Sequence, residues 1–229
     1  MTLRSRPADD ARFTVGFDLD MTLIDSRPGI AATYRWLAAE TGTDIDVDLA
    51  VSRLGPPLAQ ELAHWFPEER VAEAIALYRS AYPAHAIAPT TALPGAREAV
   101  AAVRALGGRA VVVTAKHGPS ARLHLDHLGI EPDELAGDLW AEGKAVALRE
   151  HGASVYVGDH LGDVRGARAA GALSVAVATG PYGADELRAA GADVALADLT
   201  AFPRWLRGYR AGAEEDGAED DGAAAEARA

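Results

Sequence analysis

The sequence predicts an α/β fold: a doubly wound parallel sheet with a helical subdomain inserted after its first strand. Three observations predict it. Short runs that are apolar on both faces recur along the chain, as parallel strands covered by helices require. Longer stretches of helical periodicity alternate with them, several ending in Gly. One region, from about Arg27 to Thr91, carries helical patterning with no strand signal.

The elements follow in order. "FTVGFDL", residues 13–19, is the first strand. "GIAATYRWLAAETG", "DLAVSRLG", "PLAQELAHWF" and "EERVAEAIALYRSAYPAHA" then read as helices, which is too much chain for a connecting loop. "AREAVAAVRAL" is a helix that leads into the strand "GRAVVVT", residues 108–114. "PSARLHLDHLG" is helical, with Pro119 near its start and Gly129 at its end. "GKAVALREHG" and "GDVRGARAAG" are helices on either side of the strand "ASVYVGD", residues 153–159. The strands "ALSVAVA" and the shorter "ADVAL" close the series. Such alternation builds a Rossmann-like core.

The expected organisation is a flexible stretch over 1–12, a core over 13–26 and 92–208, a helical subdomain over 27–91, and an acidic disordered tail over 209–229. The tail expectation rests on composition. "AGAEEDGAEDDGAAAEARA" holds seven acids, Arg228 as its one base, and nothing large to bury.

Bulk composition removes several function classes. The 229 residues are 49% hydrophobic, enough for a substantial core. A formal net charge of -12 argues against a surface for nucleic acid or for an anionic membrane. No apolar run approaches the length of a bilayer span. The absence of cysteine excludes disulfides, zinc–thiolate sites and a cysteine nucleophile. "MTLRSRPADDAR" lacks the apolar segment of a signal peptide. These features predict a cytoplasmic protein; a monomer or weak dimer is the expected state.

Ligands of open α/β sheets bind outside the carboxyl ends of the strands. Asp18 and Asp20 lie at the end of the first strand, Thr114 at the end of the second, and Asp159 and Asp163 in "GDHLGDVRGA". Lys144 opens a helix in "AEGKAVAL". Singly, each has an ordinary explanation: a strand-end Asp caps the next turn, and a Lys is a solvated charge. Together, four carboxylates at one edge repel one another unless a cation relieves them. Hard oxygen donors without Cys or paired His favour Mg²⁺ over zinc, and Mg²⁺ bridges carboxylates to a substrate phosphate.

The order Asp-x-Asp-x-Thr, Thr, Lys, Gly-Asp-x3-Asp resembles the four motifs of the haloacid dehalogenase superfamily. The resemblance runs from about Thr14 to Leu206, and its helical insertion looks like the cap of the phosphoglycolate-phosphatase-like branch. It implies a phosphatase of small phosphate monoesters. Asp18 would be the nucleophile and Asp20 the general acid and base. Thr114 would hydrogen-bond the phosphoryl group and Lys144 would balance its charge. Asp18, the Asp20 carbonyl, Asp159 and Asp163 would hold Mg²⁺. The dehalogenase members lack the second Asp, so Asp20 argues for phosphoryl transfer.

Three positions depart from the family pattern. Met21 stands where Gly is commonest, Ala115 where Asn or Ser is common, and Ala145 where Pro is frequent. Lys116 is therefore an alternative to Lys144. Arg53, beside Gly55 and Pro56, is the candidate cap contact to substrate, while His64, Trp65 and Tyr82 are expected to pack the cap. "ATGPYG", residues 178–183, is expected near the site. The alternatives are a phosphomutase of the β-phosphoglucomutase type, a phospho-signalling receiver, and an inactive phosphate-binding module. The long insertion argues against a receiver, and retention of both Asp18 and Asp20 against an inactive module.

Overall fold

Residues 13–212 are described by a computed structural model. β1 (Thr14–Phe17) is followed by the two-residue β2 (Ile24–Asp25), and the chain then enters a helical block. The block comprises α1 (Arg27–Thr41), α2 (Val47–Ser52), α3 (Leu58–Leu62) and α4 (Glu68–His85). It leaves through β3 (Thr91–Ala92), which pairs antiparallel with β2. The two connections to the block therefore form one short ribbon. The remaining chain runs α5 (Ala96–Ala105), β4 (Arg109–Val113), α6 (Gly118–Leu128), β5 (Glu134–Ala136), α7 (Lys144–Glu150) and β6 (Ala153–Gly158). It continues through α8 (Leu161–Ala170), β7 (Leu173–Val177), α9 (Ala184–Ala189) and β8 (Val194–Leu196), ending in α10, residues 202–212.

Six strands form one parallel sheet in the order β5-β4-β1-β6-β7-β8, with β1 central. β4 shows why its sequence is apolar throughout. Ala110 and Val112 enter one core with Val15, Phe17 and residues of α5 and α6. Val111 and Val113, one step along, enter a second core with Leu148 of α7 and Ala167 of α8. Successive side chains point to opposite faces, so a sheet covered on both sides needs an unbroken apolar strand. The helical block has its own core, centred on Tyr34, Leu37, Leu62, Tyr78 and Tyr82.

The doubly wound core and the helical insertion agree with expectation. β5 was not expected, being three residues at a sheet edge that include Glu134. β2 and β3 are too short for periodicity to reveal. α10 runs past the boundary expected at 208, and Tyr209 stacks on Trp205 at 5.3 Å. The expected flexible segment 1–12 and the tail beyond 212 lie outside the described residues. Among the described residues, no helix is long and apolar enough to cross a membrane.

Candidate active site

β1, β4 and β6 are adjacent and parallel, so their carboxyl ends share one edge. Asp18 follows β1 directly, Thr114 follows β4, and Asp159 follows β6. Asp163 sits in the first turn of α8, where its Oδ2 accepts from the His160 amide at 3.0 Å. Carboxylate atoms of Asp18, Asp159 and Asp163 lie within 4.8 Å of one another, and all three residues are buried.

Lys144, the first residue of α7, reaches into this cluster with only 1% of its surface exposed. Its ammonium donates to Asp18 Oδ1 at 2.8 Å, Asp163 Oδ1 at 2.6 Å and the Tyr156 hydroxyl at 2.8 Å. The Tyr156 hydroxyl in turn donates a hydrogen bond to the Val113 carbonyl at 2.7 Å. Asp159 accepts from the Thr22 hydroxyl at 2.9 Å.

Three buried carboxylates face one ammonium, and the electrostatics reflect the deficit. Burial pushes Asp18 up to about 7 against the opposing pull of Lys144, with Asp163 adding to the rise. Burial, then the charges of Asp163 and Asp18, push Asp159 well above the usual carboxylate range. Burial works against the Lys144 charge, but Asp163 and Asp18 outweigh it and raise that ammonium.

Asp20 lies in a different field. Its Oδ1 accepts from Lys116 Nζ at 2.8 Å. Burial acts to raise it, yet the Lys116 charge and hydrogen bond prevail and hold the carboxyl below its usual range. Lys116 sits over the Tyr82 ring at 5.0 Å, and the Tyr82 hydroxyl meets His124 Nε2 at 3.0 Å. A residue of the helical block thus touches the lysine that holds Asp20.

Both candidate lysines are used, one for each aspartate. Thr114 is 1% exposed, and its hydroxyl accepts from the Lys116 amide at 3.2 Å. Met21 adopts φ 60, the left-handed region where glycine is the least strained residue. Its carbonyl accepts from the Thr179 hydroxyl at 2.5 Å. The "ATGPYG" loop therefore does border the site. There Gly180 lies so close to Asp159 that a Cβ would collide with the Asp159 carboxylate.

A cavity of about 240 Å³ opens between the strand ends and the helical block, lined by Asp18, Asp20, Thr114, Lys144, Asp159, Asp163 and Arg53. Arg53 is committed elsewhere: its guanidinium forms a two-point contact with Glu61 at 3.0 and 2.6 Å. Trp65 and Tyr82 belong to the apolar cluster of the block, as expected, whereas His64 is exposed in the turn after α3. Thr22 was marked only as the last residue of Asp-x-Asp-x-Thr, and Tyr156, Thr179 and Glu61 were not singled out from the sequence. Thr22, Thr179 and Tyr156 contact Asp159, Met21 and Val113, which are distant in sequence, so spacing carries no signal for them, and Glu61 meets Arg53 across the turn between two short helices.

The donor set fits a divalent cation. Asp18, Asp159 and Asp163 supply hard oxygens, and one ammonium leaves two negative charges unbalanced in a buried space. The model for the haloacid dehalogenase-like hydrolases matches residues 15–168, well over half of the chain. The chain belongs to the haloacid dehalogenase-like hydrolase family. A second model, for HAD-hydrolase-like proteins, matches residues 143–202.

The chain is also similar to individual proteins. The chain is 34% identical over 193 residues to tyrosine-protein kinase PtkA of Mycobacterium tuberculosis, covering 78% of this chain but 66% of that relative. It is 30% identical to phosphoglycolate phosphatase of Chromobacterium violaceum, over 80% of this chain and 90% of the relative. Among solved structures, a predicted phosphatase from Clostridium acetobutylicum superposes with TM-score 0.74 at 25% identity, covering 85% of this chain and 98% of that one.

Proposed function

We propose that this HAD protein is a Mg²⁺-dependent phosphatase that hydrolyses small phosphate monoesters through an aspartyl-phosphate on Asp18. The observation that carries the reading is the buried cluster of Asp18, Asp159 and Asp163 held around the Lys144 ammonium. The name of the Chromobacterium relative agrees with it.

In the first half-reaction an Asp18 carboxylate oxygen attacks phosphorus, and the bond to the leaving oxygen breaks. Asp20 gives its proton to that oxygen, releasing the alcohol. In the second, Asp20 takes a proton from water, whose oxygen attacks the phosphorus of the aspartyl-phosphate. Phosphate leaves and the Asp18 carboxylate is restored. Thr114 donates its hydroxyl to a phosphoryl oxygen, and Lys144 balances charge at Asp18. Asp18, the Asp20 carbonyl, Asp159 and Asp163 would hold Mg²⁺, which when bound supplies positive charge to the phosphoryl oxygens.

Lys116 holds Asp20 as the carboxylate, the form the second half-reaction needs. The first needs the acid. An arriving phosphate dianion offers Lys116 another partner, and Asp20 freed of that ammonium takes up a proton more readily. Residues 27–91 act as a cap: the β2–β3 ribbon joins them to the core, and Tyr82 of α4 meets Lys116 and His124. Closure of the cap excludes bulk water from the intermediate.

The test is release of phenolate from p-nitrophenyl phosphate with Mg²⁺, with EDTA, and in Asp18→Asn. Turnover that needs both the metal and Asp18 supports the reading. Turnover that survives Asp18→Asn removes the nucleophile from the mechanism.

A further inference from the structure

The cavity has a charged floor and an apolar wall. The wall is built by the cap, from Ile30, Tyr34, Leu54, Leu58, Ile75 and Tyr78. Tyr34 and Tyr78 lie with ring centroids 5.0 Å apart. Burial pushes both phenols up from their ordinary values, so neither carries charge at neutral pH.

Four cations line the cavity, and each is already bound to a carboxylate of the protein. Lys144 holds Asp18 and Asp163, Lys116 holds Asp20, Arg53 holds Glu61, and Arg79 holds Asp138. Arg53 is the cation best placed beside the apolar wall, and its charge is already matched by a carboxylate that takes one edge of its guanidinium. Glu61 takes both its Nε and Nη2, and also accepts from Trp65 Nε1 at 2.8 Å. The Trp65 ring lies 5.6 Å from the guanidinium. A two-point contact with a carboxylate is what Arg53 would otherwise offer a substrate carboxylate or phosphate. Glu61 is 9% exposed, so displacing it strands a buried charge. Arg79 lies toward solvent with Asp138, both more than a third exposed, where screening weakens any hold on an enclosed anion.

The charge count decides the matter. Six carboxylates and four cations line the cavity, an excess of two negative charges. One divalent cation cancels it, and a phosphate dianion restores it. A second anionic group on the same substrate would add further negative charge with no free cation to meet it.

We infer that the site selects monoesters whose alcohol is uncharged and carries an apolar, preferably flat, body, and that it rejects esters bearing a second anionic group. The inference rests on the phosphatase reading and names the substrate class of that site. Tyr34 and Tyr78 provide an aromatic surface for such a body. The same shortage of free cations disfavours a phosphomutase, whose bisphosphate carries a second phosphoryl group.

Benzyl phosphate, glycerol 1-phosphate and 2-phosphoglycolate test the inference, because all three have alkyl oxygen leaving groups and differ in the body attached. The expected order of kcat/KM is benzyl phosphate, then glycerol 1-phosphate, then 2-phosphoglycolate, with at least about 100-fold between first and last. Glu61→Gln keeps the shape and frees Arg53, so the ratio of benzyl phosphate to 2-phosphoglycolate should narrow by about tenfold or more. Leu54→Lys places an ammonium on the wall and should narrow it independently. Equal or better turnover of 2-phosphoglycolate by the unaltered protein, or a ratio unmoved in both variants, overturns the inference. Dissociation constants of the same esters for Asp18→Asn, with Mg²⁺, should show the same order. That arm judges the wall even where no ester is hydrolysed, an outcome that overturns the phosphatase reading instead.

Discussion

Removing divalent metal over a range of pH isolates the carboxylate cluster from the other titrating groups. Burial lifts Asp18 from an ordinary value of 3.8 to about 7. Its folded value is raised, so the stabilisation from its proton is complete below about pH 4 and is lost as pH rises through about 7. Asp159 is shifted in the same direction and prolongs the loss. The metal-free protein should therefore weaken toward alkaline pH. Mg²⁺ binds the ionised carboxylates, so below about pH 7 it must displace the Asp18 proton. Its apparent affinity then rises about tenfold, and its stabilisation by about 1.4 kcal/mol, for each pH unit. The rise levels off as pH approaches about 7, so from about pH 5 to about pH 7 the added stabilisation is about 2 kcal/mol, or roughly 4–8 °C in Tm for a domain of this size. His124, pushed down to about 4 chiefly by burial, has the opposite slope below about pH 6.5, but it acts in both scans and cancels in their difference. Thermal melts in saturating MgCl₂ and in EDTA measure that difference directly. An Mg²⁺-induced shift that is flat with pH, or larger at the acid end, refutes the reasoning, as does an undiminished shift in Asp163→Asn.

Three further outcomes are expected. Met21→Ala keeps the left-handed backbone and loses the buried side chain, whereas Met21→Gly loses the side chain but relieves the backbone. The glycine variant should be the more stable of the two by about 1 kcal/mol in urea titrations, the reverse of the order at an unstrained site. Lys116→Met removes the charge that holds Asp20 down, so the alkaline limb of the kcat/KM profile, set by loss of the Asp20 proton, should move to higher pH and kcat should fall about 100-fold; an unmoved limb would detach Lys116 from Asp20. Gly180→Ala drives a methyl group into the Asp159 carboxylate, so Mg²⁺ affinity by calorimetry should drop at least about tenfold with an unchanged circular dichroism spectrum.

The sheet was legible because its strands are buried on both faces, and an unbroken apolar run such as Val111–Val112–Val113 has few other uses. The cap was legible as a gap in that rhythm. β5 was not, because an edge strand of three residues buries too little to impose a pattern. At the site, the carboxylates could be placed because each follows a strand or opens a helix. Their partners could not. The Lys144–Asp18 contact joins residues 126 apart in sequence and the Lys116–Asp20 contact residues 96 apart, so spacing alone left the two lysines as rivals.

Their division between the aspartates explains how two carboxyls separated by one residue would take the different roles proposed for them. Asp18 shares Lys144 with Asp163 and lies beside Asp159, so burial prevails and its carboxyl rises. Asp20 has Lys116 to itself, so attraction prevails and its carboxyl falls. Neighbouring acids whose environments drive them apart are the usual basis for separate catalytic assignments. The direction of each shift also tells what each residue awaits. Asp18 needs added positive charge before it is a good nucleophile, and the metal would supply it. Asp20 needs its own positive charge drawn away before it is a good acid, and the substrate dianion would do that. On the proposed mechanism each aspartate would thus be primed by a different arrival, and neither half of the chemistry would be ready until metal and phosphate were both in place.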